Sequence, residues 1–255
     1  MIKVGSFNIR YDNPDEDKEN SWHFRKDELL KSIKDEHLDL CGLQEVLPHL
    51  KNDFKDYYFY GVCRDDGKSE GEMNPILVNL EKYDVLENDT FWLADTPNIP
   101  SKFNESACTR IASWVYVQSK ISNEAFYFIN THLDHESETA REKQMAVLKT
   151  FLKDKKYILV GDFNATDKDA VIVSTQKTSQ DVAYVLDKKA GTFNDFDLNL
   201  QKMDRIDFIF ASHHFVPLDY KTHTKRRENG FYLSDHFMIS ATLKSKSSPN
   251  RDCSF

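Results

Sequence analysis

Several apolar, strand-like runs in this chain end in side chains that a dry interior does not tolerate alone, and this pattern constrains the fold more than any other feature. A buried carboxylate, amide or imidazole is costly unless it is paired, hydrogen-bonded or bound to metal. Residues 2–9 alternate as a strand that runs through Ser6-Phe7-Asn8-Ile9-Arg10, where Asn8 by itself can simply close a turn. Residues 38–46 form a strand finishing at Leu43-Gln44-Glu45-Val46, and Glu45 reads as a metal ligand or as a salt-bridge partner. The sharpest signal is Tyr157-Ile158-Leu159-Val160-Gly161-Asp162-Phe163-Asn164-Ala165. There an apolar strand stops at a glycine, where the backbone can turn, and then presents Asp162 and Asn164 two apart. A fourth signal comes in two pieces, Arg205-Ile206-Asp207-Phe208-Ile209-Phe210 and Ser234-Asp235-His236-Phe237. Adjacent Asp and His at a strand start point in opposite directions, so that one can hold a metal while the other faces a scissile bond. Asn130-Thr131-His132-Leu133-Asp134 adds one more strand end with a histidine.

The periodicity between these motifs places helices at 24–37 and 137–153, and a short one near 168–175 in an otherwise loop-rich stretch, 163–200. Further strands are expected at 57–63, 75–80, 83–93, 111–119, 125–131, 157–161, 205–211 and 237–243. Many strands with few helices, hairpins and crossovers mixed, fit two packed sheets with helices on the outer faces. No repeat or Pro/Gly/Ser linker divides the chain, so residues 1–244 read as one domain followed by a polar tail at 245–255.

Composition narrows the function classes. The net charge is −8, which disfavours a nuclease that depends on a basic face for non-specific contacts to a phosphate backbone. The nearest approach to such a face, Lys221 to Arg227, reads as a solvated loop. No apolar run reaches the roughly 18 residues that span a bilayer. Met1-Ile2-Lys3-Val4 enters a strand directly without a secretory pattern, so the default location is cytoplasmic. Cys41, Cys63, Cys108 and Cys253 show no zinc spacing, and Cys41 reads as a core filler. Phe7, Trp22, Trp92 and Trp114 are likewise expected in the core.

Taken in order from Asn8 to His236, the motifs resemble the endonuclease/exonuclease/phosphatase superfamily. The finer cues resemble a bacterial branch of it: Asn8-Ile9-Arg10-Tyr11-Asp12, Gly61-Val62-Cys63-Arg64-Asp65-Asp66-Gly67, Thr109-Arg110-Ile111 and Gly191-Thr192-Phe193-Asn194. The resemblance implies a DNase I-like four-layer α/β sandwich, in which two mainly antiparallel or mixed sheets are flanked by helices. It implies a phosphodiesterase or phosphatase dependent on Mg²⁺ or Mn²⁺, hard cations suited to oxygen ligands. Glu45 would be the principal metal ligand, with Asn8 beside it and Asp235 completing that site or serving a second ion. Asp162 would orient or deprotonate the attacking water, and Asn164 would fix Asp162 and touch a phosphate oxygen. His236 would stabilise the pentacoordinate phosphorus or the leaving group, held by Asp207, and His132 would bind a non-bridging oxygen.

Around this set, Arg10, Arg64, Arg110 and Arg141 can clamp an anionic group bidentately or pair with the abundant carboxylates. Asp134 and His135 extend the His132 strand toward the cleft, and Phe193 can stack on a base or sugar. The expected partner is a phosphorylated small molecule or a nucleic-acid end, with neither membrane insertion nor an obligate protein partner. Arg10, two residues after Asn8, stands where abasic-site endonucleases carry a carboxylate. A catalytically inactive binding domain would leave the buried carboxylates without a purpose. A glycosidase using Asp162 and Asp207 would leave Asn8, Asn164 and His236 without roles.

Overall fold

The computed structural model describes residues 1–246; of the polar tail expected at 245–255, everything beyond Lys246 lies outside the described residues. In chain order the elements begin with β1 (Ile2–Asn8), α1 (Pro14–Asp17), α2 (Trp22–Asp35), β2 (Leu40–Gln44), β3 (Tyr58–Tyr60) and β4 (Ile76–Val78). Next come β5 (Tyr83–Trp92), β6 (Ile111–Ser119), β7 (Ala125–His132), α3 (Glu138–Leu152) and β8 (Tyr157–Asp162). The last are α4 (Ala170–Gln176), β9 (Gln180–Asp181), α5 (Val182–Val185), β10 (Asp207–Ala211), β11 (Phe215–His223) and β12 (Met238–Ser245). They form two six-stranded sheets, ordered β11-β12-β1-β2-β4-β3 and β5-β6-β7-β8-β10-β9. Pairing is antiparallel except for β1 with β2 and β7 with β8, so both sheets are mixed.

Period-two alternation decides what meets between the sheets. Val4, Leu40, Ile76, Val115, Phe128, Ile158, Val160, Ile209 and Ile239 form one core shared by both. The opposite faces carry Phe7, Cys41 and Leu43 against α2, and Ile129, Leu159, Phe208 and Phe210 against α3 and α4. This gives the expected four layers, and Phe7, Trp22, Trp92 and Cys41 are buried as the pattern requires. Trp114 is only half-buried, stacked near Tyr127 and Phe151 on the outer face.

The same alternation continues into the polar motifs. Asn8 follows Val4 and Ser6, Asp162 follows Ile158 and Val160, His132 follows Phe128 and Asn130, and Asp207 precedes Ile209. These side chains therefore point into the gap between the sheets, at one open end.

Three expectations are corrected. Gly161 does not end its strand: β8 continues to Asp162, paired with both β7 and β10. The glycine is required instead because a Cβ there would lie 2.1 Å from the Thr131 carbonyl oxygen. The segment 57–63 is strand only at Tyr58–Tyr60, because Arg64 and Asp65 fold back on Glu72 and Glu70. The supposed basic loop at Lys221–Arg227 begins inside β11, an edge strand masked in the sequence by Pro217 and a register shift between Pro217 and Asp219. Lys221 and His223 there pair with Glu36, while Arg227 is buried and donates to the carbonyls of Tyr232, Glu19 and Phe24.

One contact fixes the spacing of the sheets beneath the open end. Gln44 Nε2 donates to Asn130 Oδ1 at 2.7 Å, and Asn130 Nδ2 donates to the carbonyls of Leu43 and Pro75 at 2.7 and 2.9 Å. The Asn130 side chain fits because position 42 has none: a Cβ on Gly42 would lie 2.6 Å from both Asn130 Cγ and Val160 Cγ2. Gly42→Ala is therefore expected to lower stability by about 1–3 kcal/mol through overpacking. Equilibrium urea unfolding measures it, and an unchanged midpoint would show that the sheets can separate freely.

Candidate active site

Three positive-φ residues aim the strand ends. Arg10 (φ 56°), Glu45 (φ 62°) and Asn164 (φ 47°) each follow an inward-pointing strand end and adopt the left-handed conformation. Such a conformation costs a non-glycine residue roughly 1–3 kcal/mol and persists only where the surroundings enforce it. At Glu45 its effect is direct. Gln44 already points into the gap, so regular alternation would send Glu45 outward. The left-handed turn brings its carboxylate back to the mouth.

There Asn8 Nδ2 donates to Glu45 Oε1 at 2.8 Å and to Asp162 Oδ2 at 3.0 Å. Glu45 Oε2 accepts from the Tyr11 amide at 3.0 Å, and Asp162 Oδ1 from the Asn164 amide at 2.8 Å. Asn164 Nδ2 reaches His132 Nε2 and the Leu133 carbonyl, both at 3.0 Å. His236 Nδ1 lies 2.9 Å from Asp207 Oδ2, and its Nε2 lies 3.6 Å from Asp162 Oδ2. Asp235 stands 3.9 Å from Arg10 Nη1, with its Oδ1 3.1 Å from Ser234 Oγ. The structure thus brings Asn8, Glu45, His132, Asp162, Asn164, Asp207, Asp235 and His236 into one mouth.

Burial opposes protonation of His236, but Asp207 and Asp162 outweigh it and raise its pKa well above the usual imidazole value. His132 behaves oppositely. Burial, helped by the charges of Arg110 and Arg64, holds it well below that value and keeps it neutral. Two histidines of one site are thereby split into a cation and a neutral ring. Burial also raises Asp162 and Asp235, with Asp207 and Glu45 respectively adding to the effect and His236 opposing it.

The donor set fits a hard dication. Glu45 and Asp235 repel each other in a buried setting, and a bound cation would relieve that repulsion. Asp162, Asp207 and His236 also lie within ligating reach of one another. However, the Asp207–His236 hydrogen bond and the charge on His236 make that trio a poor cage. A second grouping, Cys108, Asp134 and His135, is weaker still, because Asp134 is taken up by the amides of Ala107, Glu136 and Ser137.

The remaining expected substrate residues are more scattered. Arg10 is engaged by Asp17 at 3.1–3.2 Å. Arg64 pairs with Glu72 at 2.7 Å, and Arg141 donates to the Asp134 carbonyl at 3.0 Å. Among the described residues, the Arg110 side chain hydrogen-bonds only with His135 Nδ1, at 3.1 Å. Phe193 forms a β-bridge with His236 and places its ring 5.0 Å from the imidazole. Sequence reasoning missed Asn130, whose parity with His132 would have revealed it. It also missed Glu72 and Arg25, which had no comparable signal. Arg25 is fully buried and donates to the carbonyls of Ile9, Arg10 and Leu233 at 2.7, 3.1 and 3.0 Å, fastening the segment after Asn8 to the one before Asp235.

The chain matches known proteins over nearly all of its length. Residues 5–236 match the endonuclease/exonuclease/phosphatase family, and the chain belongs to it. Its two-sheet architecture is the DNase I-like fold. A conserved protein from Enterococcus faecalis V583 is 31% identical, with 96% of this chain and 100% of that one covered and a TM-score of 0.89. The mannosyl-6-phosphatase Bt3783 of Bacteroides thetaiotaomicron VPI-5482 is also 31% identical, over 96% of this chain and 100% of its own, with a TM-score of 0.85. TDP2 of D. rerio, complexed with a single-strand DNA product, shares the fold at 20% identity and TM-score 0.74, with 96% and 99% covered. Among the described residues, no helix is long and apolar enough to cross a membrane.

Asp207→Asn removes the largest influence holding His236 protonated. The His236 pKa is expected to fall, read from its ring signals in an NMR pH titration. A titration curve that does not move would show that Asp207 plays no part in charging the ring.

Proposed function

We propose that this chain hydrolyses phosphoric esters with a divalent cation, Mg²⁺ or Mn²⁺, held by Glu45 with Asn8 and Asp235. The observation that carries the reading is the Asn8 bridge, which draws Glu45 and Asp162 to one point beside the charged His236. When bound, the cation supplies Lewis-acid neutralisation of phosphoryl and leaving-group oxygens. Asp162 faces the attacking water and accepts its proton, a role suited to a carboxylate whose pKa burial has raised. Asn164 fixes Asp162 through its amide nitrogen. His236, held by Asp207, donates to the oxygen on which negative charge develops. His132, neutral and seated against Asn164, binds a non-bridging oxygen.

The 31% identical mannosyl-6-phosphatase supports a small phosphorylated molecule as substrate. A nuclease acting on nucleic-acid ends is the second reading, favoured by the half-buried Phe193 ring beside His236, which can stack on a base.

Glu45→Ala is expected to lower kcat on any substrate found by roughly 10²–10⁴-fold. It should also abolish the Mg²⁺ binding seen by calorimetry. Hydrolysis that survives this substitution would refute the metal assignment. Metal binding by the unsubstituted protein with no turnover on phosphomonoesters, phosphodiesters or nucleic acid would instead make it a binding domain.

A further inference from the structure

The mouth has a second end beside His132, built from further groups that the roles above leave idle. In the second sheet β6 lies beside β7 and β7 beside β8, so Arg110, just before β6, stands two strands from Asp162. At about 4.8 Å per strand this separation is on the order of 10 Å, which an arginine side chain can largely span. On the facing sheet, Met73 bridges both Val46 and Cys63, which brings Glu72 and Arg64 alongside Glu45. One end of the mouth is therefore Asp207, His236 and Asp235, the centre is Glu45, Asn8 and Asp162, and the other end is Arg64, Glu72, Arg110 and His135.

That far end collects unmet donors. Nine buried side-chain polar atoms among the described residues have no hydrogen-bond partner, and five of them are nitrogens of Arg64, Arg110, His132 and Arg141. Arg110 is the extreme case. It is 4% exposed, and among the described residues its Nε and Nη1 have no hydrogen-bond partner and its Nη2 reaches only Nδ1 of His135, a half-exposed side chain. His132 accepts from Asn164 at Nε2, which leaves its proton on Nδ1, also without a partner. Arg64 Nε makes no hydrogen bond, standing 3.9 Å from Asp65 Oδ1, while Glu72 occupies Nη1. An unmet buried donor costs about 1–3 kcal/mol, and more when charged. Concentrating several of them beside a hydrolytic centre is explained when an anionic oxygen completes the set on binding.

We infer that Arg110, with His132 Nδ1 and Arg64 Nε, binds the terminal oxygens of a phosphomonoester dianion, so that this site prefers phosphomonoesters to phosphodiesters. The inference rests on the reading of the mouth as a phosphoesterase site. A monoester carries close to two negative charges near neutral pH and three acceptor oxygens. A diester has one charge and two such oxygens, and its second ester group would bring a carbon chain against the guanidinium. The fork of Arg110 matches the first and not the second. His135 is the piece that gives way, since displacing it frees Nη2 as a third donor.

The test uses p-nitrophenyl phosphate and bis-(p-nitrophenyl) phosphate with Mg²⁺, because neither ester carries any other anionic group. In Arg110→Gln the monoester-to-diester ratio of kcat/KM should fall roughly 10- to 100-fold, and the inhibition constant of inorganic phosphate should rise by a similar factor. Arg110→Lys, which keeps the charge without the fork, should fall between the two proteins. The ratio does not depend on the fraction of protein folded. An unchanged ratio overturns the inference, whether Arg110 is then structural or serves a second anionic group on a larger substrate. If the unsubstituted protein hydrolyses neither ester, and nucleic acid is not turned over either, the phosphoesterase reading fails on its own. Calorimetry with inorganic phosphate then decides the anion site: weaker binding by Arg110→Gln supports it and equal binding refutes it.

Discussion

One side-chain amide holds the working ends of the two sheets together. The two hydrogens of Asn8 Nδ2 go to carboxylates on different sheets, Glu45 after β2 and Asp162 at the end of β8. Without that donor the two carboxylates would face each other across a dry gap, where their repulsion is strong. Two residues deeper, neutral groups repeat the arrangement: Gln44 donates to Ser6 and Asn130, and Asn130 donates to two carbonyls of the opposite sheet. Buried polar groups must find partners, so this polar layer acts as a register pin between two otherwise apolar faces. The site is a continuation of the core's alternation with polar residues.

The charge balance of the mouth explains a second unusual feature. Arg25 is fully buried without a carboxylate in contact, and burial lowers its pKa to about 10. It remains a cation near neutral pH, drawn by the nearby Asp235 and Asp17. The negative charge gathered at the mouth thus makes a buried guanidinium tolerable. In return Arg25 holds the carbonyls that flank Asn8 and Asp235, residues more than two hundred positions apart in the chain. Ser234 reinforces the same seam by donating to the Asn8 carbonyl at 2.7 Å.

Much of this was legible in the sequence because inward strand positions have a period of two. Val4 to Asn8, Phe128 to His132 and Ile158 to Asp162 each carry an apolar pattern into a polar end, and the structure puts those ends together. What was not legible has physical causes. Gly161 looked like a stop because a glycine in a strand reads as a break, whereas the constraint is a neighbouring carbonyl that no local pattern reveals. Strand β11 was hidden by Pro217, which an edge strand tolerates. Glu72 lies in a polar loop like any other, and only the Met73 bridges carry it to the mouth. Glu45 was found by its chemistry, although strict alternation would have pointed it away from the site.

The centre of the mouth and its far end are built from different parts of the fold. The centre of the mouth is made by strand ends that the sheet hydrogen bonds hold in register, so its geometry follows from the core beneath it. The far end depends on loops: residues 61–72 carry Arg64 and Glu72, and residues 133–137 carry His135 and the Asp134 turn that holds Arg141. Loops tolerate change at little cost to the core, whereas a change at a paired strand end disturbs both sheets. A phosphatase and a DNA-bound protein can share this fold for that reason. In this chain the loop end presents guanidinium and imidazole donors with too few acceptors, and the proposed preference for one phosphoester over another rests on this imbalance rather than on the carboxylate centre.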